Sequence, residues 1–332
     1  MRRIKNFIFA VFAGCMRFFY ALGLETTIRR IPVAVAFARF AYRYLKPEGT
    51  VMVTVEGHKM FIDTRDSGVA FRLLSLRTFE PKLTEVFKQM VTPGDVVVDI
   101  GANIGYFTLL ASDLVGEQGK VYAFEPAPEN FALLNKSLAA NGAMNVHAVQ
   151  KALSSRGGSG RLLLEVENWG SHRIVETVTD GQSVEVEMIS MDEFFDNGNQ
   201  KVDAIKIDAE GSEIGILRGA SRVLKNNPNL VLFSELNPKL LSKDGRSPNE
   251  YVRILVDQGF VTYAIDDIGR RIDHLTFDQL EVLVQDLLHR PAGRDYVGLL
   301  SVRGEKTLVA HRVLFMPMQP RTVNTSVNLH LN

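Results

Sequence analysis

Three short stretches of this chain place acidic or amide side chains in or just after an apolar run. The groups concerned are Asp99, Asn103, Glu125, Asp208 and Glu210. Carboxylates and amides accept hydrogen bonds from ammonium and hydroxyl donors, and a carboxylate can also take a proton from a reacting hydroxyl. These residue types therefore predict a site that binds a ligand rich in such donors and that supports acid–base chemistry.

The first stretch, residues 96–106, joins an apolar run to a turn with two glycines. The run is typical of a buried central strand, and Gly101 and Gly105 would let the backbone bend and approach a ligand closely. A helix predicted to follow would aim its N-terminal N–H groups at that ligand. The GxxxG spacing differs from the GxGxxG of dinucleotide sites, which disfavours pyrophosphate and a nicotinamide-dependent dehydrogenase. Asp99 and Asn103 suit a ligand that carries an ammonium group.

Glu125 ends a second apolar run, about 20 residues after the glycine turn, where a carboxylate can reach ribose hydroxyls. A ligand with a ribose and an ammonium group but without phosphate is S-adenosylmethionine (SAM). We therefore predict a SAM site with Asp99, Gly101, Asn103, Gly105 and Glu125 as binding residues. The alternative is that both stretches are ordinary strand–helix turns of another α/β protein.

The third stretch, residues 202–211, ends a predicted strand with Asp208 and Glu210, whose carboxylates point the same way if the chain stays extended. A hydroxyl that attacks a methyl group must lose its proton to a base. Asp208 is the first candidate for this base, His172 is the second, and Glu210 completes the predicted catalytic set. Two alternatives stay open, because these acids could hold a divalent cation together with Glu235 or could cap the following helix.

Strand-like and helix-like segments alternate from the glycine turn onward, which predicts a doubly wound, mostly parallel α/β sheet. Ligands of such sheets bind at the carboxyl ends of the strands, where the strand order reverses, and the stretches with Gly101 and Asp208 would flank that point. A third strand would end near the base of the ligand, beside Ala152. Further strands are predicted at 146–153, 184–188, 230–233, 260–265, 296–302 and 308–314.

An insertion separates the second and third chemical stretches. Extended segments at 161–166 and 184–188 enclose a polar turn at 168–172, which predicts an inserted β-hairpin. We expect this hairpin to form a lid over the acceptor side of the site. A plain surface hairpin is the alternative.

The N-terminal segment is strongly basic, with nine lysines and arginines against one acid in residues 1–46. Two amphipathic helices are predicted there, which could lie on an anionic membrane surface or cap the core. A lipoprotein-type signal ending at Cys15 is a weaker alternative. The predicted division of the chain is a helical extension at 1–49, a catalytic domain with a preceding β-hairpin at 50–316, and a loose tail at 317–332.

Overall composition narrows the class of protein further. The net charge is zero, which gives no reason to expect a nucleic acid partner. Cys15 is the only cysteine, so the chain has neither a disulfide framework nor a cysteine zinc site, and the histidines lack metal-binding spacing. These features predict a cytoplasmic protein, with the basic segment available for the cytoplasmic face of the membrane.

Three ordered motifs resemble the FkbM family of SAM-dependent methyltransferases. They lie at 98–108, 121–126 and 205–220, within a resemblance that covers residues 79–235. The resemblance implies a class I methyltransferase fold and, commonly, O-methylation of a sugar or another secondary alcohol.

The same resemblance implies cofactor roles for Gly101, Asn103 and Glu125 and a place near the transferred methyl group for Asp208. The predicted function is SAM-dependent O-methylation of a sugar, a glycolipid or a similar alcohol, with a small-molecule or glycan acceptor as partner. The alternative is a non-catalytic binding module of the same fold that docks to a membrane.

Overall fold

The computed structural model describes residues 2–24, 31–166, 168–175, 181–196, 198–243, 245–266, 271–291 and 295–315. The predicted tail at 317–332 lies outside these residues. Among the described helices, none has the length and apolar character needed to cross a bilayer.

Helices and strands alternate along most of the chain. The helices are α1 (Arg2–Ala21), α2 (Pro32–Leu45), α3 (Val69–Ser75), α4 (Pro81–Met90), α5 (Tyr106–Val115), α6 (Pro128–Asn141), α7 (Met191–Phe194), α8 (Glu213–Gly219), α9 (Ser221–Asn226), α10 (Pro238–Leu241), α11 (Pro248–Asp257), α12 (Phe277–His289) and α13 (Lys306–Phe315). The strands are β1 (Thr50–Val55), β2 (His58–Asp63), β3 (Val96–Ile100), β4 (Lys120–Phe124), β5 (Val146–Val149), β6 (Ala152–Leu153), β7 (Gly158–Leu164), β8 (Arg173–Val175), β9 (Gln182–Ile189), β10 (Ala204–Ile207), β11 (Val231–Leu236), β12 (Val261–Asp266), β13 (Arg271–Leu275) and β14 (Val297–Val302).

The central sheet has eight strands in the order β13-β12-β14-β11-β10-β3-β4-β5. Strands β5, β4, β3, β10 and β11 run parallel, and β14 is antiparallel to both of its neighbours. Buried apolar side chains form a cluster on each face of this sheet, as expected where helices cover both faces. The predicted doubly wound sheet of a class I methyltransferase is confirmed, and its strand order reverses between β3 and β10.

The strand predicted at 308–314 is wrong, because this segment lies in helix α13. Strand β14 already pairs with β11 on one side and β12 on the other. Strand β14 therefore offers no free edge to the next segment, and α13 instead packs with α4, with Ala310 buried. A short apolar run does not reveal by itself whether such an edge exists.

The predicted third strand at 146–153 divides into two strands that belong to different sheets. Strand β5 completes the central sheet, whereas β6 pairs with β9 in a second sheet of order β6-β9-β7-β8. The insertion is therefore larger than the predicted hairpin. We call this four-stranded sheet and the turn at 168–172 the lid.

The elements before the central sheet pack onto its outer helices. Strands β1 and β2 form the predicted hairpin, and the backbone N–H of Phe61 donates to Oγ of Ser137 on α6 at 3.0 Å. Helices α1 and α2 are also present as predicted, and the rings of Phe9 and Tyr42 lie 6.1 Å apart between them.

Candidate active site

A cleft of about 1340 Å³ opens at the carboxyl ends of β3 and β10, where the strand order reverses. Pockets for one small ligand usually measure about 300–1,000 Å³, so this cleft has room for a cofactor and an acceptor together. The predicted site residues that line it are Asp99, Gly101, Asn103, Glu125, Ala152, His172, Asp208 and Glu210. One topological feature thus brings together residues that lie far apart in the sequence.

The two glycines of the turn after β3 serve different purposes. Gly101 has φ 76°, and a Cβ at this position would overlap the backbone carbonyl oxygen of Asp208. Only glycine allows this close approach of the loops after β3 and β10. Gly105 has φ 95° and precedes helix α5, where a Cβ would lie 2.6 Å from Cδ1 of Leu134. It does not line the cleft, so it supports the turn from behind.

Asp99 is a buried carboxylate at the base of the cleft, with 2% of its surface exposed. Its Oδ2 accepts a hydrogen bond from Oγ1 of Thr108 at 2.6 Å, while its Oδ1 is buried without a partner among the described residues. Burial raises the pKa of Asp99, and Lys206 on the neighbouring strand counteracts this shift. One oxygen therefore remains available to a donor in the cleft.

Glu125 joins the glycine turn to the end of β4. Its two carboxylate oxygens accept hydrogen bonds from the backbone N–H groups of Asn103 and Ala127, each at 2.8 Å. Burial raises the pKa of Glu125 to about 7, against the lowering effect of these bonds. Besides facing the cleft, the side chain holds the glycine turn in position, a role that the sequence did not predict.

Asn103 has the positive φ of 50° that asparagine tolerates better than most residues. Its Oδ1 is buried and has no hydrogen-bond partner in the described part of the chain. Oδ1 of Asn103 and Oδ1 of Asp99 are thus two hydrogen-bond acceptors without partners among the described residues. They lie beside Gly101, where the backbone leaves no room for a Cβ. These features fit the ammonium group and close approach of SAM, and Glu125 adds a carboxylate to the same cleft.

The loop after β10 carries a cluster of acids around one buried amine. Nζ of Lys206 lies 3.2 Å from Oδ2 of Asp208 and 4.7 Å from the ring centre of Phe107. Burial would lower the pKa of Lys206, but Asp208 and Asp99 outweigh it and raise the pKa. Lys206 is therefore a fixed positive charge at the centre of the cluster.

The neighbouring acids of this cluster are held close to one another. Burial, followed by the charges of Asp208 and Glu213, raises the pKa of Glu210 to about 8. Burial and the same carboxylate of Asp208 also raise the pKa of Glu235 well above its ordinary value. No three acidic, histidine or cysteine side chains of the described ranges are arranged to hold a metal ion.

Glu213 was not predicted as a site residue. It is buried, its Oε1 accepts from the backbone N–H groups of Ala209 and Gly211, and burial raises its pKa to about 7. Glu213 therefore accepts the hydrogen bonds of the backbone N–H groups before α8. This is the capping role that was considered for Asp208 and Glu210. The acid at the first position of a predicted helix was the signal that could have identified it.

The lid reaches the cleft through the turn at 168–172. Ser171 hydrogen-bonds Glu210, and a Cβ at Gly170 would lie 3.2 Å from Val69 and 3.6 Å from Nδ2 of Asn103. The turn thus contacts both the cofactor side and the acid cluster. This placement supports its predicted position above the acceptor side of the cleft.

Asp66 anchors this turn and was also missed from the sequence. The side chain is buried and accepts from the backbone N–H groups of Gly68 and Ala70 before α3 and from that of Trp169 at 3.3 Å. The guanidinium of Arg65 lies 5.0 Å from the ring centre of Trp169. An Asp two residues before a glycine is a helix-start signal, but no local pattern reveals the contact with a turn 103 residues away.

His172 has a defined ring orientation. Its Nδ1 accepts a hydrogen bond from the backbone N–H of Glu165 at 3.0 Å, and burial lowers the pKa of the imidazole. In the neutral ring the proton then lies on Nε2, which makes that nitrogen a donor. Nε2 of His172 is therefore a hydrogen-bond donor on a residue that lines the cleft.

Comparison with known proteins gives a consistent result. Residues 99–262 match the family described as the methyltransferase FkbM domain. The chain is 26% identical over 228 residues to the hexuronic acid methyltransferase AglP of Haloferax volcanii, covering 67% of this chain and 89% of that protein. It is 30% identical over 154 residues to methyltransferase sdnD of Sordaria araneosa, covering 37% of this chain and 59% of that protein.

Among solved structures, the chain matches the SAM-dependent methyltransferase from Aquifex aeolicus. It overlaps 68% of this chain and 89% of its own length, with 15% identity and a TM-score of 0.36. The family match covers the glycine turn, Glu125 and the acids after β10, which are the residues that line the cleft.

Proposed function

The FkbM domain at residues 99–262 makes this chain a SAM-dependent methyltransferase, and we propose that it methylates a hydroxyl group of an anionic sugar. The observation that carries this proposal is the position of Asp208, which lines the cleft and whose backbone carbonyl closely approaches Gly101 of the glycine turn. A cofactor cradle and a candidate base thus share one cavity.

The cofactor would be held by residues of the β3 and β4 ends. Asp99 Oδ1 and Asn103 Oδ1 would accept from its ammonium group, Glu125 would accept from its ribose hydroxyls, and Ala152 would lie beside its base. When bound, SAM supplies a methyl group that is already activated by a positively charged sulfur. The protein's main task is then to orient the acceptor, which can contribute about 7–11 kcal/mol.

Asp208 is the proposed base for the acceptor hydroxyl. Its Oδ2 is held by Lys206, whereas its Oδ1 has no hydrogen bond to a described residue and can accept a proton. Nε2 of His172 would donate to the acceptor and orient it, rather than compete for its proton. Proton removal by such a base is typically worth about 10²–10⁴ in rate.

Two arginines support a negatively charged acceptor. Arg72 and Arg173 line the cleft, and neither forms an ion pair with any described residue. A guanidinium binds a carboxylate through two parallel hydrogen bonds. AglP, to which this chain is similar, is named for hexuronic acid, a sugar that carries such a carboxylate.

The first test is binding and transfer with the purified full-length protein. Calorimetry should detect both SAM and S-adenosylhomocysteine, and labelled methyl groups from SAM should appear on uronic-acid glycans as base-stable methyl ethers. Absence of SAM binding at millimolar concentration would overturn the cofactor assignment. Labelling of protein, nucleic acid or a carboxyl group as an ester would overturn the acceptor assignment and leave the cofactor assignment intact.

Arg173→Gln tests the charge of the acceptor. We expect KM for a uronic-acid glycan to rise about 10- to 100-fold, because a charge-assisted hydrogen bond contributes about 1.5–3 kcal/mol. The matched control is Arg161→Gln. Arg161 is an exposed residue of strand β7, where it pairs with Val175 of β8, and it does not line the cleft. Equal KM values for the two variants would show that Arg173 does not bind the acceptor.

A further inference from the structure

Helix α1 turns a stripe of large apolar side chains toward solvent. These exposed side chains follow a helical pattern, with successive separations of three, one, three, seven and four residues, so they share one face of the helix. They are Ile4, Phe7, Ile8, Val11, Phe18 and Leu22. A helix that belongs only to the protein body would show polar residues on this face.

Helix α2 repeats the pattern. Val33, Phe37, Phe40 and Tyr44 are all exposed and follow an i, i+4, i+7, i+11 spacing. The rings of Phe40 and Tyr44 lie 4.5 Å apart on this outer face. The two neighbouring helices thus carry two apolar stripes, which we call the outer surface of α1 and α2.

Different residues attach these helices to the rest of the protein. Phe9, Ala13 and Tyr42 are buried, and Tyr42 packs edge-on against Phe71 of α3 at 4.9 Å. The attachment therefore leaves the outer surface uncovered by any described residue. The sequence left open whether these helices cap the core or contact a membrane. The structure shows that one face of the helices packs on the core and another face is exposed.

Charge identifies the partner that fits this surface. Arg39 and Arg43 are exposed one turn apart on α2. Residues 1–46 contain nine basic residues and a single acid. A second copy of the chain would bring these like charges together, whereas an anionic lipid surface would neutralise them.

We propose that the outer surface of α1 and α2 binds an anionic lipid bilayer, with both helices lying in the plane of the interface. Apolar side chains would enter the boundary between headgroups and acyl chains, while the arginines contact anionic headgroups. Tyr20, near the end of α1, also lines the cleft. Docking would therefore place one side of the cleft next to the lipid surface.

The test is co-sedimentation of the full-length protein with vesicles. The protein should bind vesicles of phosphatidylglycerol mixed with phosphatidylcholine, and binding should weaken as salt approaches 1 M, where the Debye length falls to about 3 Å. Vesicles of phosphatidylcholine alone should bind far less protein. Failure to bind the anionic vesicles at low salt would overturn the proposal.

A double variant tests whether vesicle binding depends on the outer surface of α1 and α2 or on exposed apolar side chains in general. Phe37 and Phe40 are 67% and 61% exposed, so Phe37→Ser with Phe40→Ser should fold normally and bind anionic vesicles about a hundredfold more weakly. The matched control is Val256→Ser with Val282→Ser, which removes exposed apolar side chains from α11 and α12. Retention of wild-type vesicle binding by the phenylalanine variant would overturn the proposal.

Self-association is distinguished by measuring mass in solution without lipid. If the phenylalanine substitutions convert a dimer to a monomer and leave vesicle binding unchanged, the surface joins two copies of the chain and the lipid proposal is wrong. Vesicle binding requires neither SAM nor an acceptor. Its failure would therefore leave the proposed O-methylation standing, and failure of SAM binding would leave the lipid proposal standing.

Discussion

The two sides of the cleft are built in different ways. The proposed cofactor side comes from residues 99–104 and Glu125, which belong to adjacent strands and one short turn. The acceptor side is assembled from His172, Asp208 and other lining residues that are far apart in the chain, and Asp66 anchors its turn at Trp169. Local sequence specifies the first side almost completely, whereas the second exists only after the lid and the sheet have come together.

The two sides also differ in electrostatics. On the cofactor side, two buried oxygen atoms have no hydrogen-bond partner among the described residues. They are Oδ1 of Asp99 and Oδ1 of Asn103. The acceptor side instead holds several carboxylates around Lys206, and burial, followed by repulsion from neighbouring carboxylates, raises the pKa of Glu210 to about 8. Substitutions on the cofactor side should therefore change SAM affinity, and those on the acceptor side should change turnover or acceptor affinity.

Gly101→Ala should have the largest effect. The added Cβ meets the Asp208 carbonyl in a backbone of positive φ, so we expect SAM affinity to fall more than about 100-fold and stability to drop by about 3 kcal/mol or more. Gly94→Ala is the control, because Gly94 has φ 85° with open space around it and should lose only about 1 kcal/mol. Calorimetry and thermal unfolding measure both quantities. Similar losses in the two variants would show that the loops do not meet as described.

Asp208→Asn should leave the cofactor side intact. We expect kcat to fall about 10²–10⁴-fold, because the amide cannot take the proton, while the dissociation constant of SAM changes less than about threefold. Asp257→Asn, at an exposed carboxylate of α11, is the control. Single-turnover transfer and calorimetry separate the two effects.

A loss of kcat below about tenfold would transfer the base role to Glu210. In that case the wild-type rate should rise with pH around 8, since Glu210 must lose its proton to act as a base. Glu210→Gln would abolish that rise. The pH profile thus decides between the two carboxylates of the acceptor side.

Glu125→Gln should remove a pH dependence of SAM binding. Because burial raises the pKa of Glu125 to about 7, the free protein carries this group mostly protonated below that pH, whereas ribose hydroxyls donate to the ionised form. Wild-type affinity should therefore rise as pH increases toward about 7 and then level off. The variant should bind about 1.5–3 kcal/mol more weakly and with a flatter profile. An unchanged profile would contradict the ribose assignment.

The same group affects stability with a defined sign. Its pKa is higher in the folded chain than in the unfolded chain, so the folded state holds the proton more tightly. The stability that this provides is present in full below about pH 4.5 and is lost as pH rises through about 7. Glu125→Gln should remove this part of the decline in denaturant unfolding experiments.

Asp66→Asn should have the smallest effect and should act on the acceptor side alone. The variant keeps one acceptor oxygen but weakens the anchor of the turn at Trp169, so we expect KM for the acceptor to rise about three- to tenfold. The affinity for SAM should stay unchanged. The control is Asp113→Asn, which removes an ion pair with His58 outside the cleft. A larger change in SAM affinity than in KM would mean that the turn serves the cofactor side.

A strand or helix could be predicted from the sequence where its hydrophobic pattern matches its position in the folded sheet. The run of apolar residues before Gly101 predicts a strand buried on both faces, and β3 is central in the sheet. The segment at 308–314 is also mostly apolar but forms α13, because both edges of β14 are already occupied. Edge availability is a property of the whole sheet and leaves no local trace.

The sequence by itself determined the glycine turn after β3, the carboxylate at the end of β4 and the acids after β10. These features are local, because a strand end and a tight turn each restrict which residue types can occupy them. Only the tertiary structure decided that Asp66 anchors the lid, that Glu213 rather than Asp208 satisfies the loop before α8, and that Nε2 of His172 is a donor. These roles depend on contacts between segments that are distant in the chain. Such contacts form where burial removes competing water, and no spacing of residues encodes that.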